Sequence, residues 1–150
     1  QIYLTNPYFL PRRSVLSGLR KAAKRGIDVR ILVPMKSDIW FVRQASISLY
    51  RRLLKAGVKI FEYQPTMLHA KTLVIDSWAT IGSHNLNHRS FIHDLEAELV
   101  IEDPQNHEIL LQQWKFDLQN SQEITLQELS RLTWFERTLS RIIYWFRYWL

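Results

Sequence analysis

An imidazole and an ammonium group stand two positions apart, at His69 and Lys71. The β-branched residues around them predict a strand from Leu68 to Ile75, and side chains two apart on a strand point to the same face. The two groups can therefore bind one ligand. A second strand, Ala79 to Ile81, is expected to return after a tight turn at Asp76-Ser77.

The return strand leads into a short polar segment, Gly82-Ser83-His84-Asn85. Ser83 and Asn85 offer neutral hydrogen-bond donors, and Gly82 allows the backbone to approach a ligand closely. The turn brings Ile81 to His84 roughly opposite Ala70 to Leu73, near the same end of the sheet as His69. Strict alternation points Ser83 away from His69, so we expect regular strand geometry to end near Ser83.

These groups suit chemistry on a phosphodiester. A cation and several donors can hold the non-bridging oxygens as charge builds up, while an imidazole attacks phosphorus or protonates the departing alkoxide. This chemistry requires no metal ion and no cofactor. A zinc site built from His84, His88 and His93 is the alternative use of the neighbouring histidines, but no accompanying ligand pattern supports it.

The elements that position these groups alternate between strands and helices. Such alternation predicts a layered, mostly parallel α/β sheet flanked by helices. Gly26 and Gly57 are expected helix terminators. Besides the hairpin, the predicted elements are a strand at Ile2 to Thr5, a helix from near Ser14, a strand at Ile27 to Val33, a helix at Ile39 to Ala56, a strand at Val58 to Tyr63, a strand at Glu98 to Ile101 and a helix from Pro104 to Gln119.

Residues 121–150 differ in character from residues 1–120, because they are rich in arginine and aromatic residues. We expect residues 1–120 to form a catalytic half-domain and residues 121–150 to form a helical tail. Thr125 and Glu128 have capping-box spacing. Further on, an imperfect amphipathic helix is expected, with Arg137, Arg141, Tyr144 and Tyr148 on one stripe and Phe135, Leu139, Ile142, Ile143, Phe146 and Trp149 mostly on other faces.

Composition narrows the possible partners. The chain has 150 residues, 47% of them hydrophobic, which fits one globular domain. The absence of cysteine removes disulfides and thiolate nucleophiles. A formal net charge of +6 favours an anionic partner, either a membrane surface or nucleic acid.

The motifs resemble those of the phospholipase D superfamily. Its His-x-Lys signature, followed by four residues and Asp, is met by His69, Lys71 and Asp76. Its Gly-Ser-x-Asn element is met by Gly82, Ser83 and Asn85. The resemblance implies a layered α/β fold in which two such motifs meet across a pseudo-twofold axis, so that one motif is half of an active site.

The resemblance also implies roles for individual residues. One histidine of the pair forms a phosphohistidine and the other protonates the leaving alcohol, and the implied role of His69 is the proton donor. Lys71, Ser83 and Asn85 are the expected phosphate-binding residues. Glu96 is the carboxylate expected to orient the histidine, with Glu98 as its competitor. Asp76 is expected to be structural.

More narrowly, Asn6 to Pro11, Leu68 to Lys71 and Trp78 to Ser90 resemble the second half of bacterial cardiolipin synthases. This implies a phosphatidyltransferase acting on an anionic phospholipid, held peripherally at the bacterial cytoplasmic membrane. The second half-site would come from a missing N-terminal half or from a homodimer mate. The alternatives are a metal-independent nuclease that works as a homodimer, and a non-catalytic lipid-binding module.

Overall fold

A computed structural model describes residues 1–148, and within them seven strands form one sheet. The strands are β1 (Ile2–Thr5), β2 (Val29–Pro34), β3 (Lys59–Tyr63), β4 (Thr72–Ile75), β5 (Trp78–Gly82), β6 (Glu98–Ile101) and β7 (Ser121–Ile124). The helices are α1 (Arg13–Lys24), α2 (Trp40–Leu54), α3 (His88–Ile92), α4 (Pro104–Gln119), α5 (Leu126–Arg131) and α6 (Trp134–Trp145). Trp149, expected on the tail helix, lies outside the described residues.

The sheet has the order β6-β5-β4-β1-β2-β3-β7. Its centre is parallel, because the connections from β1 to β2 and from β2 to β3 each run through a helix. The other pairings are antiparallel. A tight turn joins β4 to β5, and β7 pairs with the free edge of β3. The predicted layered α/β fold with a helical tail is confirmed, and the sheet is mixed with a parallel centre.

Helices cover both faces of the sheet. One face packs against α1 and α2, with Ile31, Ile60 and Leu53 among its buried residues. The opposite face packs against α4, where the ring of Trp114 stacks on Tyr3 with centroids 4.4 Å apart. A one-residue slip would exchange the side chains of the two packed faces, so the fit of each face to its own helices fixes the strand register.

The β4–β5 hairpin has the predicted two-residue turn, with Ile75 paired to Trp78 and Thr72 paired to Ile81. β4 begins at Thr72 rather than at Leu68, so His69 and Lys71 precede the strand. The reason is that the neighbouring strand β1 ends at Thr5, which pairs with Thr72. Beyond that point the segment has a partner on one side, where Gly82 N–H donates to the Lys71 carbonyl at 3.1 Å.

The C-terminal segment is attached to the half-domain. Its first residues form β7 on the edge of β3, and α6 packs along α2. Both α5 and α6 begin with capping boxes, at Thr125 and Thr133. Ser140 is buried, and Tyr144 packs against the core. Tyr144, expected on one stripe with Arg137 and Arg141, is thus partly buried, because α2 covers that side of α6.

Several large apolar side chains of the tail remain exposed. They are Trp134, Phe135, Ile142, Trp145, Phe146 and Tyr148. No helix among residues 1–148 is both long enough and apolar enough to cross a lipid bilayer.

Deleting residues 132–150 is expected to destabilise the protein, because Ile143 and Tyr144 would no longer cover α2. Losing this burial costs on the order of 3 kcal/mol and lowers the unfolding midpoint by roughly 10 °C. Thermal unfolding followed by circular dichroism measures the change. A truncated protein that melts at the wild-type temperature would show that α6 does not support the core.

Candidate active site

A buried asparagine joins the end of β1 to the polar segment that follows β5. The Asn6 side chain donates to the His84 carbonyl at 3.1 Å, and its Oδ1 accepts from Leu86 N–H at 3.1 Å and from Tyr8 N–H at 3.2 Å. Leu10 N–H also donates to the Leu86 carbonyl at 2.8 Å. Both ends of the Asn6 amide are thus used to fix residues 84–86, and sequence reasoning did not identify this role.

The imidazole of His69 is exposed and stands against a tyrosine. The rings of Tyr8 and His69 meet edge to face, with centroids 5.6 Å apart. The Tyr8 hydroxyl contacts both carboxylate oxygens of Asp38 at 2.9 Å. Burial, and then Asp38, raise the pKa of Tyr8 to about 12, so this phenol stays neutral and keeps its hydrogen bond. Tyr8 therefore forms one wall beside His69.

Lys71 and Glu96 interact on the same side of the hairpin. Partial burial lowers the pKa of Lys71, and the nearby charge of Glu96 opposes this effect. The Ser83 hydroxyl donates to Glu96 and accepts from Ala97 N–H at 3.0 Å. This bond from Ser83 is the largest contribution that lowers the pKa of Glu96, which is therefore ionised at neutral pH. The Ser83 proton is thus already engaged by a protein acceptor.

Asn85 follows this pair and has an unusual side chain environment. Its backbone N–H supports the Glu96 carboxylate, while its Oδ1 is buried without a hydrogen-bond partner in the described chain. The Nε2 atom of His84 is in the same condition, and the His84 ring lies against Phe91 at 4.6 Å. Unpaired buried polar atoms are costly and concentrate at functional sites.

Gly82 has a different role from the one that we expected. A Cβ at this position would overlap the Ala97 carbonyl oxygen and would lie 2.5 Å from Cδ of Glu98. The glycine therefore admits the start of β6, and not a ligand. Strand geometry ends at Ser83, as predicted, and Ser83 N–H donates to the Ala97 carbonyl at 2.9 Å.

The site residues predicted from the sequence do not all come together. The structure brings Lys71, Ser83, Asn85 and Glu96 to one end of the hairpin. His69 lies beside them, on the loop that carries Lys71 into β4. Asp76 lies in the turn at the other end, about 17 Å from Lys71 along the strand. Glu96 makes no hydrogen bond to His69 within residues 1–148. No group of three His, Asp or Glu residues suited to a metal ion occurs there either.

Solved structures show the class of fold. The chain superposes on Nuc, a phospholipase D family member from Salmonella typhimurium, with a TM-score of 0.70 and 20% identity, over 83% of this chain and 81% of that one. Phosphatidylserine synthase from Haemophilus influenzae gives a TM-score of 0.72 at 16% identity, over 97% of this chain and 38% of that one. The fold is that of the phospholipase D superfamily.

Sequence comparison is more specific. The family described as cardiolipin synthase, PLD-like domain, matches residues 1–118, and the chain belongs to this family. It is 37% identical to a cardiolipin synthase of Halalkalibacterium halodurans over 139 residues, and 44% identical to cardiolipin synthase 2 of Bacillus anthracis over 124 residues. These matches cover 92% and 82% of the chain, but only 28% and 24% of the relatives.

Replacing Asn6 by Ala is expected to loosen residues 84–86. The His84 carbonyl and the Leu86 N–H would lose their partner, at about 1–3 kcal/mol for each buried group. Hydrogen exchange at the Leu86 amide should accelerate at least tenfold, and the melting temperature should fall. Asn106→Ala on the exposed face of α4 is the matched control. Unchanged exchange at Leu86 in the Asn6 variant would contradict the role of this side chain.

Asp38→Asn is expected to lower the pKa of Tyr8 from about 12 towards its ordinary value of 10.0, while burial keeps it above that value. Because the folded pKa is raised, its contribution to stability is complete below pH 10 and is lost as pH rises through 12. NMR titration of ¹³Cζ-labelled tyrosine measures the shift. The resonance of Tyr3, which bonds to Asp28, serves as the internal control. An unaltered Tyr8 titration would refute the pairing with Asp38.

Proposed function

We propose that this chain supplies one of two half-sites of a cardiolipin synthase-type phosphatidyltransferase, which exchanges phosphatidyl groups between lipid alcohols. The observation that carries the proposal is the convergence of Lys71, Asn85 and Glu96 at one end of the hairpin, beside an exposed His69. Membership in the cardiolipin synthase family favours a phospholipid over other phosphodiesters.

The proposed reaction has two steps and uses one histidine from each half-site. In the first step a histidine nitrogen attacks phosphorus, a P–N bond forms, and the P–O bond to the leaving alcohol breaks. The other histidine gives its proton to the departing oxygen. In the second step the proton-transferring histidine takes a proton from the acceptor alcohol. The alcohol oxygen then attacks phosphorus, and the P–N bond to the nucleophilic histidine breaks. We assign the proton-transfer role to His69.

The other residues act through charge and hydrogen bonds. Lys71 would balance the charge that builds on the non-bridging oxygens, and the amide of Asn85 would donate to the same oxygens. Ser83 was expected to bind phosphate, but its hydroxyl is committed to Glu96, so we assign it to positioning that carboxylate. Glu96 remains ionised and can orient an imidazole once the site is complete.

Exposed apolar residues beside the site support its completion by a second half. Leu95 is fully exposed next to Glu96, and Ile81 pairs with an exposed Leu99 across β5 and β6. A soluble domain rarely exposes such a patch unless another surface covers it. The chain spans 24–28% of the length of these relatives, so the relatives have room for a second motif outside the matched part.

We place this half-site at the surface of the bacterial cytoplasmic membrane, held peripherally. The substrate would be an anionic phospholipid such as phosphatidylglycerol. The formal net charge of +6 and the exposed aromatic side chains of α6, including Trp134 and Trp145, support binding to an anionic interface. Both features lie on the described surface and need no spanning helix.

A second candidate is a nuclease that completes its site by pairing with a copy of itself. The chain has the fold of Nuc, at a TM-score of 0.70 and 20% identity, and this likeness of fold is the observation that favours it. Cleavage of nucleic acid without a metal ion, together with a dimer in sedimentation, would support this candidate. Liposome binding with no product would support the non-catalytic lipid-binding module.

Headgroup release from phosphatidylglycerol tests the first proposal, measured with excess EDTA on the full-length protein that carries this chain. Turnover should persist in EDTA, since Lys71 and Asn85 meet the phosphate charge. His69→Ala should lower it by at least a thousandfold with an unchanged melting temperature, while His93→Ala, an exposed histidine, retains it. Loss of turnover in EDTA that one metal restores, or full activity in His69→Ala, would refute the mechanism.

A further inference from the structure

A pocket of about 210 Å³ lies between α2, α5 and α6, outside the candidate active site. Its volume equals that of about seven water molecules, enough for a headgroup or a short length of acyl chain. Its lining residues are Ile47, Ser48, Arg51, Lys55, Leu126, Leu129, Ser130, Leu132, Arg137, Ser140 and Arg141. The pocket forms only because α6 packs along α2.

Four cations line this pocket, namely Arg51, Lys55, Arg137 and Arg141, and no carboxylate does. None of the four forms an ion pair within the described part of the chain. The nearby Glu128 and Glu136 are occupied in their capping boxes. All four residues are exposed, and Arg137 also donates to the Ser130 carbonyl. Four like charges around one concavity make its potential positive, which favours an anion.

The rest of the lining distinguishes the kind of anion. The lining also includes the apolar side chains of Leu126, Leu129 and Leu132, and these would gain nothing from a free inorganic ion. The exposed aromatic residues Trp134 and Trp145 lie on α6, the helix that contributes Arg137 and Arg141 to this pocket. An anion that carries its own apolar part satisfies both surfaces at once.

The pocket is separate from the hairpin site. Val42, near the start of α2, packs in the cluster that contains Tyr8, the neighbour of His69. Arg51 lies nine residues further along the same helix, roughly 14 Å away along its axis. A ligand bound at Arg51 would therefore not occupy the position of the reacting phosphodiester.

We propose that this pocket binds one anionic phospholipid molecule as a docking ligand, with its phosphate against the four cations and the start of an acyl chain against the leucines. The inference rests on the membrane-surface part of the proposed function, and it requires no chemistry at His69. It gives α6 a specific role: to hold the half-site on a bilayer that contains anionic lipid.

Photo-crosslinking locates the ligand on the full-length protein. The probe is a short-chain phosphatidylglycerol with a diazirine in one acyl chain, kept below its micelle concentration, and mass spectrometry identifies the labelled peptides. Labelling is expected on α2, α5 or α6, and separately near His69. Arg51→Gln combined with Arg141→Gln should reduce labelling of α2, α5 and α6 by about 25-fold, at about fivefold for each cation. Labelling near His69 should remain unchanged.

The matched control is Arg20→Gln combined with Lys24→Gln, which removes the same charge from the exposed face of α1. It should alter labelling at the pocket by less than twofold. Unlabelled dihexanoyl phosphatidylglycerol should compete at least tenfold better than glycerol phosphate, which lacks chains, and better than dihexanoyl phosphatidylcholine.

Three outcomes overturn the inference. If labelling at the pocket falls equally in both double variants, the probe is attracted by the general surface charge and not by this pocket. If glycerol phosphate competes as well as dihexanoyl phosphatidylglycerol, the pocket binds free anions and does not recognise the acyl chains. No labelling of α2, α5 or α6 means that another part of the protein covers the pocket. Labelling only at the pocket would support docking and count against the proposed substrate instead, so the two proposals fail separately.

Discussion

The arrangement of the site depends on the carboxamide of one buried asparagine. Asn6 ends the first strand, and its two polar ends hold the His84 carbonyl and the Leu86 N–H. These bonds reach from β1 past the hairpin partner β4 to the segment that carries Asn85. An apolar residue here would leave buried backbone groups unpaired, and a charged one would bury its charge. Only a group that donates and accepts at once satisfies the position.

Much of the fold follows from local sequence signals. The strands β1 and β6 and the helix α4 occupy the residues predicted for them, because each combines a clear hydrophobic pattern with a turn or cap at its end. β7 was missed, because Ser121–Ile124 has no alternating pattern and forms a strand only where the edge of β3 is available. The docking of α6 on α2 was missed for a similar reason, since it joins residues about 90 positions apart that share no local signal.

The placement of the candidate site residues was predictable only in part. The spacing of His69 and Lys71 and the tight turn correctly indicated that Ser83 and Asn85 return to the same end of the sheet. The sequence could not show that Ser83 is committed to Glu96, or that Tyr8 is held by Asp38, because both contacts join separate loops. An asparagine between a predicted strand and a proline was the available clue to Asn6.

The paired register of the hairpin has a consequence for changes in chain length. Gly82 must lie against Glu98, and it does so because the register of β5 and β6 pairs these two residues. One residue inserted between Trp78 and Gly82 would turn every following side chain to the opposite face and would put a side chain where none fits. An insertion at residues 76–77 would only enlarge an exposed loop. Length variation among related chains should therefore collect at this turn, which makes it the natural place to graft a tag or a label without disturbing the opposite end.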